Sequence, residues 1–277
     1  MKLKLLFPVL SLIIASTLGC KKEPAIQPDI LQPEYKLPQG NHPYDSKIVD
    51  FYNKYGTYIL YKFTEKDFRW DISDDIEYVA DQGDQNYVGQ SLDVIDKQLF
   101  GFYDESFLKI SLPYKILLSS RIRAISGSDT LATPVNAVSI FSHLTFGQTS
   151  TRLSQLTPEE LVELKADLHV AYWSQAINNS KVKLPPAFVA ATDYSMVMEF
   201  NKKRYGVFDT HEGGVNVDSD LIDYIRQIVS HTRQELENTI FLTQNDPEGR
   251  YKYKYNAIIN YYKSTYGVDL QFIGNSK

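Results

Sequence analysis

Hydrophobic and polar positions repeat with two different periods along this chain, and the change between them predicts the order of its helices and strands. Between residues 46 and 55 the apolar residues recur at helical spacing, and the following TYILYKF alternates as a strand does. Apolar residues between 92 and 100 predict a second helix. The short runs YKILLSS and NAVSIFS, each bounded by turn-like segments, predict further strands.

The second half of the chain has helical periodicity only, with clear capping signals. TPEE supplies an N-cap at Thr157, a proline at the first helical position and Glu160 at the capping-box position, for a helix that reaches about Asn179. Further helices are predicted from about 220 to 231, from Thr232 with Glu235 completing a second capping box, and from 247 to about 266. We therefore predict an α+β fold with a mixed α/β first lobe and a mainly helical second lobe.

The N-terminal segment has the pattern of an export signal. Lys2 and Lys4 precede an apolar run from 5 to 14, small residues follow, and the only cysteine of the chain, Cys20, comes directly after Gly19. This order resembles the lipobox of bacterial lipoproteins, which implies cleavage after residue 19 and a lipid on Cys20. The apolar run is too short to span a membrane.

Composition divides the remainder of the chain and limits its partners. Residues 20–43 are rich in proline and poor in apolar side chains, which predicts a disordered tether, and residues 44–277 are expected to form a single domain. The chain has 34 acidic and 29 basic residues, a net charge of −5, and this excess of acid argues against nucleic acid as a partner. We expect the acyl chains on Cys20 to hold the acidic protein at the membrane.

The stretch KADLHVAYWSQ, residues 165–175, brings the most chemistry into one predicted helix. His169 draws attention as a metal ligand, and Trp173 as an aromatic wall of a cleft. Leu161, Leu164, Leu168 and Tyr172 form a stripe at helical spacing, which instead favours a core helix. Both interpretations stay open at this point.

Other candidate sites carry weaker signals. His231 and Glu235 are four residues apart, as metal ligands on a helix would be, but Thr232 between them is typical of a helix N-cap. His211 before two glycines fits a mobile loop near a site, or a solvated turn. DQGDQN, residues 81–86, has the carboxylates of a calcium loop without its spacing, so a hydrated loop is favoured. The tyrosine-rich segment 251–266 fits a carbohydrate-stacking face, but its helical spacing favours core packing.

Five segments in order resemble a known family. They are YNKYGTYILYKF, LPYKILLSS with SGSDTLAT, KLPPAF, DSDLIDYIRQIVSHTRQELEN and YNAIINYYKSTYGVDLQ, and together they span about residues 47–271. The chain is similar in these to the zinc metallopeptidase lipoproteins of Bacteroidetes, the substrate import-associated zinc metallohydrolase lipoproteins, which accompany TonB-dependent nutrient-import systems. The resemblance implies a zincin-like, or metallopeptidase-like, domain.

In that family an H-E-x-x-H helix binds zinc just before the LPPAF segment, and a downstream acid supplies a further ligand. If Gln175 matches the glutamine that follows the motif, Asp167 stands at the first histidine, Leu168 at the glutamate and Ala171 at the second histidine. The downstream acid is then Asp223. Two carboxylates without an imidazole would suit calcium or magnesium better than zinc, and the resemblance therefore implies a degenerate site in which no cofactor is expected.

No H-E-x-x-H occurs anywhere in the sequence. A shifted alignment onto His143 in FSHLTFGQ finds no glutamate after it and Gly147 where the second histidine would stand. A helix without the base and the second histidine has neither a metal cage nor a proton acceptor for water. The resemblance therefore predicts a pseudoenzyme.

The leading functional hypothesis is an outer-membrane lipoprotein, on the surface or the periplasmic face, that serves a nutrient-import system without catalysing hydrolysis. Its expected partners are the import receptor or that receptor's lipoprotein partner, and a peptide or glycan in the old cleft near His169, Trp173 and His211. One alternative is an active metal-dependent hydrolase with a rearranged site that draws on Asp167, His169 and Asp223, with His211 or His231 as a further ligand. Another is a structural lipoprotein with no small ligand, whose partner is the importer itself.

Overall fold

The computed structural model describes residues 34–69, 78–126, 129–211 and 214–276. The predicted signal peptide, the lipidation site Cys20 and the first part of the predicted tether lie outside these residues. The compact unit begins at Leu37. The Gln39 side-chain amide bonds the backbone at Tyr61 and Lys62, which holds this segment beside the first strand.

The strands in this part of the chain lie between residues 58 and 146 and form one mixed sheet. They are β1 (Tyr58–Leu60), β2 (Tyr78–Gln82), β3 (Lys115–Ser126), β4 (Asp129–Val135), β5 (Ala137–Ser139) and β6 (His143–Phe146). β1, β3 and β6 run parallel, and β5 pairs antiparallel with β6 at the end of the order β1-β3-β6-β5. The C-terminal half of β3 pairs antiparallel with β2 and β4.

The α-helices of the described residues flank this sheet and fill the second half of the chain. They are α1 (Asp45–Tyr55), α2 (Glu65–Phe68), α3 (Val88–Gln98), α4 (Glu105–Ser111), α5 (Pro158–Asn178), α6 (Pro186–Val189), α7 (Val217–Ser230), α8 (Arg233–Asn238), α9 (Arg250–Tyr266) and α10 (Leu270–Asn275). Among the residues that the structure covers, no helix is both long and apolar enough to cross a bilayer.

The central helix, α5, begins where the sequence predicts and for the predicted reason. The Thr157 hydroxyl accepts from the Glu160 amide at 3.2 Å, and the Glu160 carboxylate accepts from the Thr157 amide at 2.9 Å. The helix packs on β5, β6 and α7. Leu164, Leu168 and Tyr172 are fully buried, which confirms the core-facing stripe.

The tyrosine-rich helix α9 contributes to the core. Tyr251, Tyr255, Ile258 and Tyr262 of its stripe are buried, which favours core packing over a carbohydrate-stacking face. Two of these buried phenol groups have polar partners: Tyr251 donates to the Val207 carbonyl at 2.9 Å and Tyr255 to Gln271 Oε1 at 2.9 Å. Gly267, with φ of 71°, ends the helix as predicted.

Candidate functional site

The surface between α5 and α7 holds Asp167 and Asp223, the two acids that the sequence resemblance puts at a metal site. Asp167 of α5 lies there with one fifth of its side chain exposed. Its Oδ1 accepts from Arg226 Nη2 of α7 at 2.6 Å, and its Oδ2 accepts from Asn136 Nδ2 at 2.9 Å. Both oxygens of this carboxylate are therefore engaged by side chains of the protein.

Arg226 joins two carboxylates of α5. Its Nη1 donates to Glu163 Oε1 at 3.2 Å, while Nη2 donates to Asp167. Glu163 and Asp167 are four residues apart and therefore share one face of α5. The guanidinium crosses from α7 to this face, and its charge lies between the two acids.

Asn136, which precedes β5, is itself held in place. Gln148 is almost fully buried and donates from Nε2 to Asn136 Oδ1 at 2.7 Å, and the Gly147 amide donates to the Asn136 carbonyl at 2.8 Å. A Cβ at Gly147 would lie only 2.3 Å from the Val135 carbonyl oxygen, so glycine is required for this close approach. The amide that orients Asp167 is thus fixed by the sheet.

Asp223 lies on α7 and pairs with His211 of the preceding loop. Their Nε2 and Oδ2 atoms are 2.8 Å apart, and His211 adopts the left-handed conformation with φ of 51°. Burial raises the pKa of the Asp223 carboxyl, and the hydrogen bond from His211 opposes this shift. Of the predicted cleft residues, His211 is the one that reaches this surface, with 36 % of its side chain exposed.

The two residues that the sequence resemblance aligns with a catalytic glutamate and a second histidine are apolar and closed. Leu168 and Ala171 are 0 and 5 % exposed, and neither side chain can bind a metal or take a proton. Asp167, at the first histidine position, is already bonded to Arg226 and Asn136. The residues present therefore do not fit the zinc that the fold family implies. The Arg226 guanidinium also lies between the carboxylates that calcium or magnesium would need as ligands.

His169 and Trp173 lie inside the protein, which corrects their placement in an open cleft. Both are fully buried, because they sit on the side of α5 that faces the core. Trp173 Nε1 donates to the Tyr103 hydroxyl at 2.8 Å, and this hydroxyl lies 2.7 Å from His169 Nδ1. Since the indole can only donate, the Tyr103 hydroxyl accepts from Trp173 and keeps its own proton available for His169 Nδ1. Burial lowers the pKa of His169 to about 3, and the charge of Lys165 adds to this effect.

The histidines singled out elsewhere have structural surroundings. His231 follows α7 and its Nδ1 lies 3.0 Å from the Gln227 carbonyl, while Glu235 completes the capping box of α8 with Thr232. His143 begins β6 and is fully buried, and burial lowers its pKa to about 3, with the charge of Lys115 acting in the same direction.

The carboxylates of DQGDQN are also engaged locally. Asp81 forms an ion pair with Arg123 at 2.9 Å, and Asp84 accepts from the Asn86 backbone and side-chain nitrogens at 3.0 Å. These contacts describe a turn that follows a strand. Across the residues that the structure covers, no three His, Cys, Asp or Glu side chains are grouped so that they could hold a metal ion.

A second ion pair lies one turn from Asp223 and is fully buried. Lys254 Nζ of α9 donates to Asp220 Oδ2 of α7 at 2.6 Å, and Tyr194 donates to the same oxygen at 2.7 Å. Burial raises the pKa of Asp220 and lowers that of Lys254, and each partner opposes the shift of the other. This pair fixes α7 against α9, behind the surface that carries Asp223 and Arg226.

Sequence reasoning missed Arg226, Glu163, Asn136 and Gln148. The available signal was weak: Glu163 and Asp167 share a helical face, and Asp223 and Arg226 are three residues apart on another helix. Opposite charges on two amphipathic helices are common, and the sequence does not say that these two faces meet. Asn136 and Gln148 flank the short strands β5 and β6, whose pairing brings them together.

Comparison with known proteins bears on the fold. No family model matches the chain, and no curated protein matches it. Among solved structures, the chain is similar to a crystal structure from Bacteroides caccae described as a "putative zinc-binding metallo-peptidase". The two are 14% identical, the match covers 84% of this chain and 88% of that one, and the TM-score is 0.53. This confirms the predicted α+β, metallopeptidase-like fold.

Proposed function

We propose that this chain is a lipid-anchored accessory protein of a TonB-dependent outer-membrane import system, with a metallopeptidase-like domain that binds a peptide or glycan and does not hydrolyse it. The proposal that the domain does not hydrolyse its ligand rests on the side chains of helix α5. This helix has Leu168 and Ala171 at the positions of the base and second histidine, and its Asp167 is bound by Arg226. Water activation at this cleft would lack both a metal cage and a proton acceptor.

Metal analysis combined with a peptidase assay tests this part. The full-length chain, purified in detergent, is expected to contain zinc far below one equivalent and to leave a mixed peptide library uncleaved. The B. caccae protein named above, purified in parallel, serves as the comparison for metal content. One equivalent of zinc together with peptidase activity that a chelator abolishes would refute the non-catalytic role.

Anchoring rests on Cys20 and is tested separately. Cys20→Ala is expected to release the chain from the membrane fraction and to abolish incorporation of a labelled fatty acid. Ser11→Ala, a change of similar size in the same N-terminal segment, should leave both unchanged. Membrane association of the Cys20→Ala chain equal to that of the unaltered chain would contradict a lipid anchor.

An exposed loop between α6 and α7 supports contact with a partner protein. Met196 and Met198 are each 56 % exposed and Phe200 is 85 % exposed, which is unusual for large apolar side chains so close together. Asn201 braces the loop: its Oδ1 accepts from the Met198 amide at 2.7 Å and its Nδ2 donates to the Met196 carbonyl at 3.0 Å. The loop therefore presents its apolar side chains in an ordered conformation.

Co-purification with a TonB-dependent outer-membrane receptor from the same cells tests this contact. Phe200→Ser is expected to reduce recovery of the receptor about tenfold or more, as loss of one buried aromatic anchor does at interfaces. Phe141→Ser is the control, since Phe141 is an exposed aromatic on a different part of the surface, in the turn between β5 and β6. Equal recovery with both variants would argue against this loop as the partner surface.

A further inference from the structure

The cleft between α5 and α7 carries carboxylates from both helices, and a side chain supplies the positive charge that neutralises those of α5. Glu163 and Asp167 from one helix and Asp223 from the other bring three carboxylates to this surface. Without a positive charge, the two acids of α5 would repel each other across one helical turn. The Arg226 guanidinium bonds both of them, at 3.2 and 2.6 Å.

We infer that Arg226 takes the electrostatic place of a metal ion at this cleft, so that the acids of α5 and α7 stay together without any bound metal. Arginine suits this role because its guanidinium is charged at every physiological pH and presents several N–H donors in a rigid plane. A side chain cannot be removed by a chelator or exchanged for another ion. The cleft should therefore keep its shape under conditions in which a metal site would empty.

The surroundings of the guanidinium hold it in this role. Asp167 is oriented by Asn136, which is bonded to the buried Gln148, so the main acceptor of Arg226 is fixed from the sheet side. Asp223 is paired with His211 and is not a direct partner of the guanidinium among the described contacts. Each acid of the surface thus has a cationic or donor partner from the protein itself.

Removing the guanidinium should convert the surface into a weak metal site. In Arg226→Met the side chain keeps its apolar stem but leaves Glu163 and Asp167 without their shared cation. The melting temperature of the full-length chain is expected to fall by roughly 3 to 8 °C, because the pair is partly buried. Calcium or manganese at millimolar concentration should restore at least half of that loss, since oxygen ligands from acids suit these ions. The unaltered chain should show no such gain.

Three further variants decide between charge and shape. Arg226→Lys keeps the charge and is expected to lose less stability than Arg226→Met and to show no response to the ions. Arg226→Met combined with Asp167→Asn should recover stability without any ion and should also show no response. Lys47→Met, at the exposed pair with Asp93, is the control and should change the melting temperature by less than about 1 °C.

The inference is overturned if the unaltered chain itself gains stability from calcium, manganese or zinc, since the cleft would then be open to metals. It is equally overturned if Arg226→Met loses stability that no ion restores, or if Arg226→Lys and Arg226→Met lose the same amount. None of these results depends on an import partner. Failure of the proposed accessory role and failure of this inference are therefore distinguishable.

Discussion

The buried His169 gives the strongest quantitative prediction, because its surroundings keep the imidazole neutral. The pKa of His169 lies at about 3 in the folded protein, against an ordinary value of 6.5. Since the folded pKa is the lower one, only the unfolded chain gains the proton as the pH falls below 6.5. The stability that the neutral imidazole contributes is therefore present above pH 6.5 and is lost as the pH falls from 6.5 toward about 3.

The size of this loss follows from the two pKa values. Between pH 7.5 and pH 5.0 the unfolded chain is protonated at this position and the folded protein is not, which lowers the free energy of unfolding by about 2 kcal/mol. His169→Asn keeps an acceptor for Tyr103 near the position of Nδ1 but cannot titrate. We expect the stability of this variant to depend less on pH than that of the unaltered chain, by about 2 kcal/mol over the same interval.

Urea unfolding at pH 7.5 and 5.0, followed by circular dichroism, measures this difference. Leu168→Ala is the matched control on the same helix: it should lower the stability at both pH values alike and leave the pH dependence unchanged. The Asp and Glu residues are the same in all three proteins, so their contributions to the pH dependence of stability cancel in this comparison. If His169→Asn has the same pH dependence as the unaltered chain, then His169 is accessible to protons in the folded state, and its assignment to the core is refuted.

Two further predictions concern packing around α7. Lys254→Met should lower the free energy of unfolding by about 3 to 5 kcal/mol, because it leaves the buried Asp220 without its cation. Adding Asp220→Leu to the same chain should recover more than half of this loss. If the double variant recovers nothing, the loss is not a charge effect. Gly274→Ala should lower the free energy of unfolding, measured in urea, by about 1 to 3 kcal/mol. The new Cβ would lie 2.0 Å from the Ile228 carbonyl oxygen and 2.4 Å from the His231 carbonyl oxygen. Unchanged stability would contradict this close packing of α10 on α7.

Local signals predicted the helices well. The capping boxes of Thr157 and Thr232 are present, because each depends on residues only three positions apart. Two helices begin at residues other than those predicted, because the hydrogen bonds at their N-termini come from residues outside the Thr-x-x-Glu pattern. α7 begins at Val217, before the predicted residue 220, since Asn216 accepts from the amides of Asp218 and Ser219. α9 begins at Arg250 and not at 247, because Asp246 accepts from the amides that open this helix.

Strands and the site depended on contacts that the sequence does not encode locally. The strands β2, β4 and β6 and the helices α2, α4, α6 and α10 were not predicted. In β6 all four residues are buried, so the alternation that identifies a strand is absent. Asp167, Ala171 and Asp223 lie on helices that were predicted, α5 and α7. The resemblance did not predict Arg226, because the partner of a charged side chain is set by which helix faces meet.

The C-terminal helix has a consequence for how the protein can be made. Lys165, in the middle of α5, is buried, and its Nζ donates to the carbonyls of Ile273 and Ser276 at 3.0 and 2.6 Å. These acceptors are more than a hundred residues downstream of Lys165, so the ribosome delivers them long after α5. The central helix therefore cannot reach its final packing until residues 273–276 have been synthesised. For expression work, a shortened chain should keep residues 273–276, because their carbonyls accept from this buried ammonium.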